Sequence, residues 1–368
     1  MVESMQLRSL VLALIAVLML GLGIAIGYFI APPRESIVER TITYTYTHTM
    51  TSPVYQTLTV VQTVEKRAPV SIVDALGRII TFEEFPKRVI SLAPSITEIL
   101  FALGLGDKVV GVTSYCNYPP EVPKLVEEGK LTTIGGYWNP DIEKIIALKP
   151  DLVIGSSGTR SHVELKDKLE GLGIKTVYIR GSGASSVEEV LSDIATIAKI
   201  FGVEDKANEL VNNISSEISY VVNKLMEANV TKLKVFVLLG PPTWGLYSVG
   251  GDTFLGWVLS TAGGNNIASK YSGWPLLDFE YVVSHDPDVI IATSMGLNPE
   301  DVVKEIGNTL LKETKAFKEG RVYVVSQEAE DILVRPGPRI GKAVRLMAQI
   351  LYPEIFGNPE VEMVFKIK

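Results

Sequence analysis

The chain of 368 residues has one cysteine, Cys116, and three histidines. A single thiol cannot build an internal disulfide framework or a cysteine-rich metal site. His48, His162 and His285 are too scattered for a histidine-based zinc site, so each is expected at the surface or at a helix end. Positive charge is also scarce: 35 Lys and Arg face 42 Asp and Glu, a formal net charge of −7. A nucleic-acid binder needs a basic face, and this balance disfavours one. Catalytic signatures are missing as well. No Gly-x-Ser-x-Gly elbow, P-loop, His-Glu-x-x-His or Cys–His pair stands out, so neither an enzyme nor a resident cofactor or metal is expected. Gly181-Ser182-Gly183 lacks the further glycine and the acidic residue of a dinucleotide fingerprint. Apolar residues, by contrast, make up 46% of the chain. That supports a sizeable core and, at this length, two domains.

Two stretches repeat one another without a gap. Asp141 to Ile154 reads DIEKIIALKPDLVI, and Asp278 to Ile291 reads DFEYVVSHDPDVII. Each has an acidic first turn, an apolar helical stripe, Pro-Asp and a β-branched run. This pattern predicts a short amphipathic helix that ends before proline and feeds a buried strand. Aromatic-proline segments precede both copies, Tyr137-Trp138-Asn139-Pro140 and Trp274-Pro275. Two copies so far apart imply two similar α/β lobes facing one another, with Glu143 and Glu280 at like places. The helix macrodipole alone explains acids at helix N-termini. Their gap-free repetition points further, to paired docking pegs for a two-fold symmetric basic partner.

Residues 1–9 are expected as a cytoplasmic tail. Residues 10–31 are apolar and would span roughly 30 Å as a helix, enough for a transmembrane anchor or, alternatively, a signal segment. In residues 32–69 threonine alternates with larger side chains. Alternation can mean a strand; with nothing to pair with locally, this stretch reads as a stalk holding the binding domain outside the membrane. Residues 70–204 form the N-terminal lobe. There a hairpin turns at Ala75-Leu76-Gly77, Arg88 to Leu92 is a buried strand, and Ser95-x-x-Glu98 fits a capping box. Residues 205–228 hold the longest helical pattern outside residues 10–31, with Leu210, Ile214, Ile218, Val221 and Leu225 on one stripe. This helix is expected to be the strut between lobes. Residues 229–368 form the second lobe, where Gly263-Gly264-Asn265-Asn266 breaks a helix. Strand–helix–strand syntax implies parallel sheets, and ligands of such sheets collect outside the strands' carboxyl ends.

Aromatic residues recur on those rims: Tyr115, Tyr118, Tyr137, Trp138, Trp244, Tyr247 and Trp274. A cleft with such walls suits a large, flat, partly apolar ligand, although any one ring could simply pack under its loop. Pro336 and Pro338 stiffen the segment around Arg335. A held arginine can bond ligand oxygens. The alternative is a surface pair with Asp331.

As an ordered set, Ser91 to Glu98 (SLAPSITE), Thr113 to Pro120 (TSYCNYPP), Ile146 to Val153 (IALKPDLV), Gly263 to Ile267 (GGNNI) and Arg335 to Arg339 (RPGPR) resemble the helical-backbone substrate-binding proteins of ABC importers. Within that group the chain looks most like cobalamin-binding proteins, with iron-siderophore and haem binders as relatives. The resemblance covers residues 71 to 352. It implies two Rossmann-like lobes joined by a single long α-helix, with the ligand between them. It also implies a dimeric permease with ATPase subunits as partner, docked through Glu143 and Glu280. The ligand, a cobalt corrinoid or an iron chelate, would meet Tyr115, Tyr137 or Trp138, Trp274, Asp331 and Arg335; Trp244 joins them from the rim pattern. The anchor and stalk resemble those of archaeal surface-bound receptors.

Overall fold

A computed structural model describes residues 36–46, 56–66, 68–359 and 364–366. The expected membrane segment, residues 10–31, lies outside them; among the described residues no helix is long and apolar enough to cross a membrane. The expectation that nothing pairs locally with the threonine run needs a correction. Strand β1 (Ser36–Tyr46) pairs antiparallel with β2 (Gln56–Lys66), from Ser36 opposite Lys66 to Tyr46 opposite Gln56. The threonine alternation is therefore that of a strand, and its partner lies only ten residues downstream.

Strands β3 (Val70–Val73) and β4 (Ile79–Phe82) form the expected hairpin. The first sheet then assembles from β5 (Val89–Ser91), β6 (Val109–Val112), β7 (Thr132–Thr133), β8 (Leu152–Ser156) and β9 (Lys175–Ile179). Their order is β7-β6-β5-β8-β9, and every pair is parallel. The helix Val187–Phe201 follows and ends at Gly202 in the left-handed conformation. Next comes the 25-residue helix Glu204–Ala228, about 37 Å long at 1.5 Å per residue. The second half contains β10 (Leu233–Leu239), β11 (Leu246–Tyr247), β12 (Gly264–Asn266), β13 (Leu276–Leu277), β14 (Val289–Thr293), β15 (Val322–Val325) and β16 (Val364–Lys366). Its main sheet runs β12-β10-β14-β15-β16, parallel except for β16. Gly264 to Asn266, expected only to break a helix, is thus an edge strand.

The apolar runs of the sheets alternate between two cores, as period-two strands buried on both faces must. Val235, Val237, Val289 and Ile291 face the largest buried cluster, while Phe236, Leu238, Ile290 and Ala292 face a second one. In the first sheet Leu152 and Ile154 point to the large cluster and Val153 to the third. The large cluster is continuous between the halves. Ala207, Val211, Ile214, Val221 and Leu225 of the long helix belong to it, together with Ile194 on one side and Leu346 on the other.

The repeated segments fold alike in detail. Asp141 caps the helix Ile142–Ala147 by accepting from the Glu143 and Lys144 amides, and Asp278 caps Phe279–His285 through the Tyr281 amide. Each helix buries one apolar residue in the outer core of its own sheet, Ile145 or Val282. Each is followed by a left-handed residue directly before proline, Lys149 (φ 47°) or Asp286 (φ 46°). The aspartate after that proline accepts backbone N–H groups at the start of the neighbouring strand. Asp151 takes those of Lys87 and Arg88 at 2.8 and 3.0 Å, and Asp288 takes that of Lys234 at 2.8 Å. The side chains of Arg88 and Lys234 in turn bond carbonyls at the helix C-termini, Leu148 O and His285 O, where cations are favoured.

Candidate functional site

The strands' carboxyl ends carry the rings that the sequence picks out. In the first lobe Tyr115 follows β6, and Tyr137 and Trp138 precede the repeat helix. Trp138 makes edge contacts with both tyrosines, at centroid distances of 5.7 Å to Tyr115 and 5.0 Å to Tyr137. Trp138 is 67% exposed and Tyr115 50%. Tyr137 is half-buried, and its hydroxyl lies 2.6 Å from Thr159 Oγ1. Between the two tandem rings, Trp138 is the open face and Tyr137 its backing.

A polar network that sequence reasoning missed holds this wall. Thr159 Oγ1 reaches Ser182 Oγ at 2.9 Å, and Ser182 reaches Ser156 Oγ at 3.0 Å. His162 was expected at the surface or a helix end, yet it is fully buried. The Ser156 amide donates to its Nδ1, so Nε2 carries the proton and donates to the Tyr137 carbonyl at 2.7 Å. Its ring also meets that of Tyr137 edge-on at 4.9 Å. Burial pushes His162 down to about 4, so it stays neutral and positions Tyr137. One histidine in a short helix after a serine-rich loop gives no sequence signal of that role.

In the second lobe a small ribbon does the positioning. Strands β11 and β13 pair antiparallel, setting Tyr247 opposite Leu276. Amides of Ser248 and Gly250 donate to the carbonyls of Pro275 and Gly273, fixing the backbone on either side of Trp274. Trp244 lies over Gly240, where a Cβ would come within 2.7 Å of its ring. Glycine at φ +85° is what lets that ring settle. Trp244, Tyr247 and Trp274 are each about half exposed. A hollow of about 640 Å³ opens elsewhere, beside β12, lined by Lys232, Asp252, Asn265, Lys270 and neighbours. None of the predicted rings lines it, and Tyr271 stands there among serines, glycines and charged side chains.

Where the lobes meet, the structure departs from the sequence reading. Glu98 is not part of a capping box: Ala93 is the N-cap of the helix Pro94–Ala102, with no side-chain cap. The Glu98 carboxylate, 2% exposed, instead accepts from Arg339 of the other lobe through Nε (2.8 Å) and Nη2 (2.7 Å). Arg335 Nη1 bonds the same carboxylate at 3.0 Å and Asn117 Oδ1 at 2.7 Å. Its Nη2 bonds the Tyr115 carbonyl at 3.1 Å and pairs with Asp331 at 2.7 Å. Asn117 Nδ2 closes the circuit on Asp331 at 2.8 Å. Asp331 belongs to the helix Gln327–Val334, and Arg335 is that helix's C-cap. The Asp331–Arg335 pair therefore exists, but as part of a buried junction between lobes. The Arg339 guanidinium also stacks 4.0 Å over the Tyr118 ring, which removes Tyr118 from the set of open rings. Glu143 and Glu280 are both exposed, each in the first turn of its repeat helix.

Two such lobes, one long helix and a polar junction between them match a known architecture. Residues 89–329 fit the model of the periplasmic binding protein family. The chain belongs to that family. It is 35% identical over 289 residues to the ABC transporter substrate-binding lipoprotein YvrC of Bacillus subtilis (strain 168), covering 78% of this chain and 87% of that protein. It is 27% identical to the cobalamin-binding protein of Halobacterium salinarum (strain ATCC 29341 / DSM 671 / R1), over 77% of this chain and 74% of that one. Among solved structures, the periplasmic heme-binding protein RhuT of Roseiflexus sp. RS-1, in apo form, superposes with a TM-score of 0.62 at 26% identity. That match covers 72% of this chain and all but 2% of the other (98%).

Proposed function

We propose that this chain captures cobalamin or a related corrinoid outside the cytoplasm and delivers it to a dimeric ABC permease driven by ATPase subunits. The observation that carries this reading is the exposed rings on the strand-end loops of both lobes, Tyr115 and Trp138 on one, Trp244 and Trp274 on the other. Large flat macrocycles gain most from broad aromatic faces flanked by a few polar groups. The halobacterial relative supports the same ligand class. Glu143 and Glu280 would meet basic residues of the permease, one per lobe, which suits a two-fold partner. Residues 10–31 would anchor the protein, with residues 32–69 as the tether. Purified protein incubated with cyanocobalamin should keep its red absorbance through desalting; colourless protein would sink the reading. Haem or a ferric chelate is the second candidate, supported by the likeness to a heme-binding structure. Retention of haem colour in place of red would select it.

A further inference from the structure

Arg335 is the residue that the sequence offers as a ligand anchor, yet its terminal nitrogens are already committed. Nη1 donates to Glu98 and Asn117, while Nη2 donates to Tyr115 O and forms an ion pair with Asp331. Both terminal nitrogens therefore face protein acceptors, two apiece. The charges are committed too. The Arg335 and Arg339 guanidiniums face the carboxylates of Glu98 and Asp331, with Glu328 a further 3.8 Å from Arg339 Nη1. Two cations against three anions leave the junction without surplus positive charge. The side chains involved are 11% or less exposed for both arginines and 1% for Glu98, so water screens them little.

We propose that Glu98 is a specificity-determining positioning residue. From the opposite lobe, and together with Asp331, it neutralises Arg335 and occupies its terminal nitrogens, so that the cleft selects ligands without net negative charge. The inference rests on the proposed function, because it assigns the ligand class of that same cleft. A ligand carboxylate could reach Arg335 only by displacing Glu98 or Asp331, and it would meet their repulsion while doing so. A neutral macrocycle fringed with amides faces no such competition. Its carbonyls need donors but no free cation, and Asn117 still has one amide hydrogen after bonding Asp331. The same junction holds the ligand wall: Arg335 grips the Tyr115 carbonyl, so a C-terminal-lobe cation fixes an N-terminal-lobe ring.

The test titrates the whole chain with cyanocobalamin, neutral overall, and with hemin, which carries two propionates. Binding is read by tryptophan quenching and folding by Tm, for wild type, Glu98→Gln, Asp331→Asn and Asn117→Ala. Wild type should bind cyanocobalamin at least tenfold tighter than hemin. Asp331→Asn releases one guanidinium charge and should move that ratio tenfold or more towards hemin; Glu98→Gln should do the same. Asn117→Ala leaves the charge alone and should weaken both ligands by a similar factor. If Glu98→Gln fails to fold, Asp331→Asn decides alone, since its side chain lies nearer solvent. An unchanged ratio in a folded Asp331→Asn overturns the charge role of the Glu98–Asp331 pair, while wild-type corrinoid binding would leave the proposed function standing. Tighter wild-type binding of hemin overturns both.

Discussion

The two lobes are the same machine in one respect and different machines in another. Their repeat units agree down to the aspartate cap, the left-handed residue before proline and the aspartate that clasps the next strand. Behind their ring walls they share little. The first lobe backs Tyr137 with hydroxyls and a buried histidine, whereas the second seats Trp244 on a glycine and fixes Trp274 with a two-stranded ribbon. The duplicated part lies on the outer faces of the sheets and the divergent part on the strand ends. On the proposed function, duplication would serve what a symmetric partner reads, and divergence a ligand that has no symmetry.

The junction offers the largest handle on that comparison. Glu98→Ala would leave two guanidiniums buried without their shared acceptor and should cost about 3–5 kcal/mol in urea unfolding. A loss below about 1 kcal/mol would mean that the lobes are held by the continuous apolar core alone. His162 comes next. Its value in the folded chain, about 4, lies below the ordinary histidine value of roughly 6.5. Its contribution is therefore complete above pH 6.5 and is lost as pH falls towards 4, by roughly 3 kcal/mol in all. Burial drives Asp193 up to about 7, which acts in the opposite sense across that whole window. The readout is accordingly the stability difference between wild type and His162→Gln, which should shrink on acidification. A difference independent of pH would remove the neutral-histidine argument from the first lobe.

The ring walls can be compared directly. Trp138→Ala and Trp274→Ala should each weaken corrinoid binding roughly ten- to hundredfold. Tm should hardly move, because both rings are more than half exposed. Loss from one side only would show that a single lobe carries the ligand. Asp151→Ala and Asp288→Ala each remove acceptors of backbone N–H groups and should cost about 1–2 kcal/mol apiece. A difference much beyond 1 kcal/mol between them would break the structural equivalence of the repeats. The smallest effect on stability belongs to Glu143→Ala and Glu280→Ala, below about 0.5 kcal/mol each. Both should nonetheless lower stimulation of the permease ATPase, to similar extents; unequal losses would argue against a two-fold partner.

The parts legible in the sequence were those with local causes. The repeat helices, the long helix and the buried strands follow from periodicity and from proline and glycine signals, and each is found within a few residues of its expected place. The misread parts depend on neighbours far along the chain. Glu98 has the spacing of a capping box, but the carboxylate answers to arginines more than 230 residues away. His162 offers one ring to a carbonyl 25 residues upstream. The threonine run misled in a different way, since its partner strand lies only ten residues downstream.

By itself the sequence determined two α/β halves, the helix that separates them and the acids repeated on their outer faces, because hydrophobic period and capping chemistry act over a few residues. Only the tertiary structure decided that Arg335 is paired with Glu98 and Asp331, that Trp138 and not Tyr137 is the open ring, and that a buried histidine backs Tyr137. Those facts depend on which charges and donors meet across a folded interface, where burial makes each partner count and where distance along the chain carries no information.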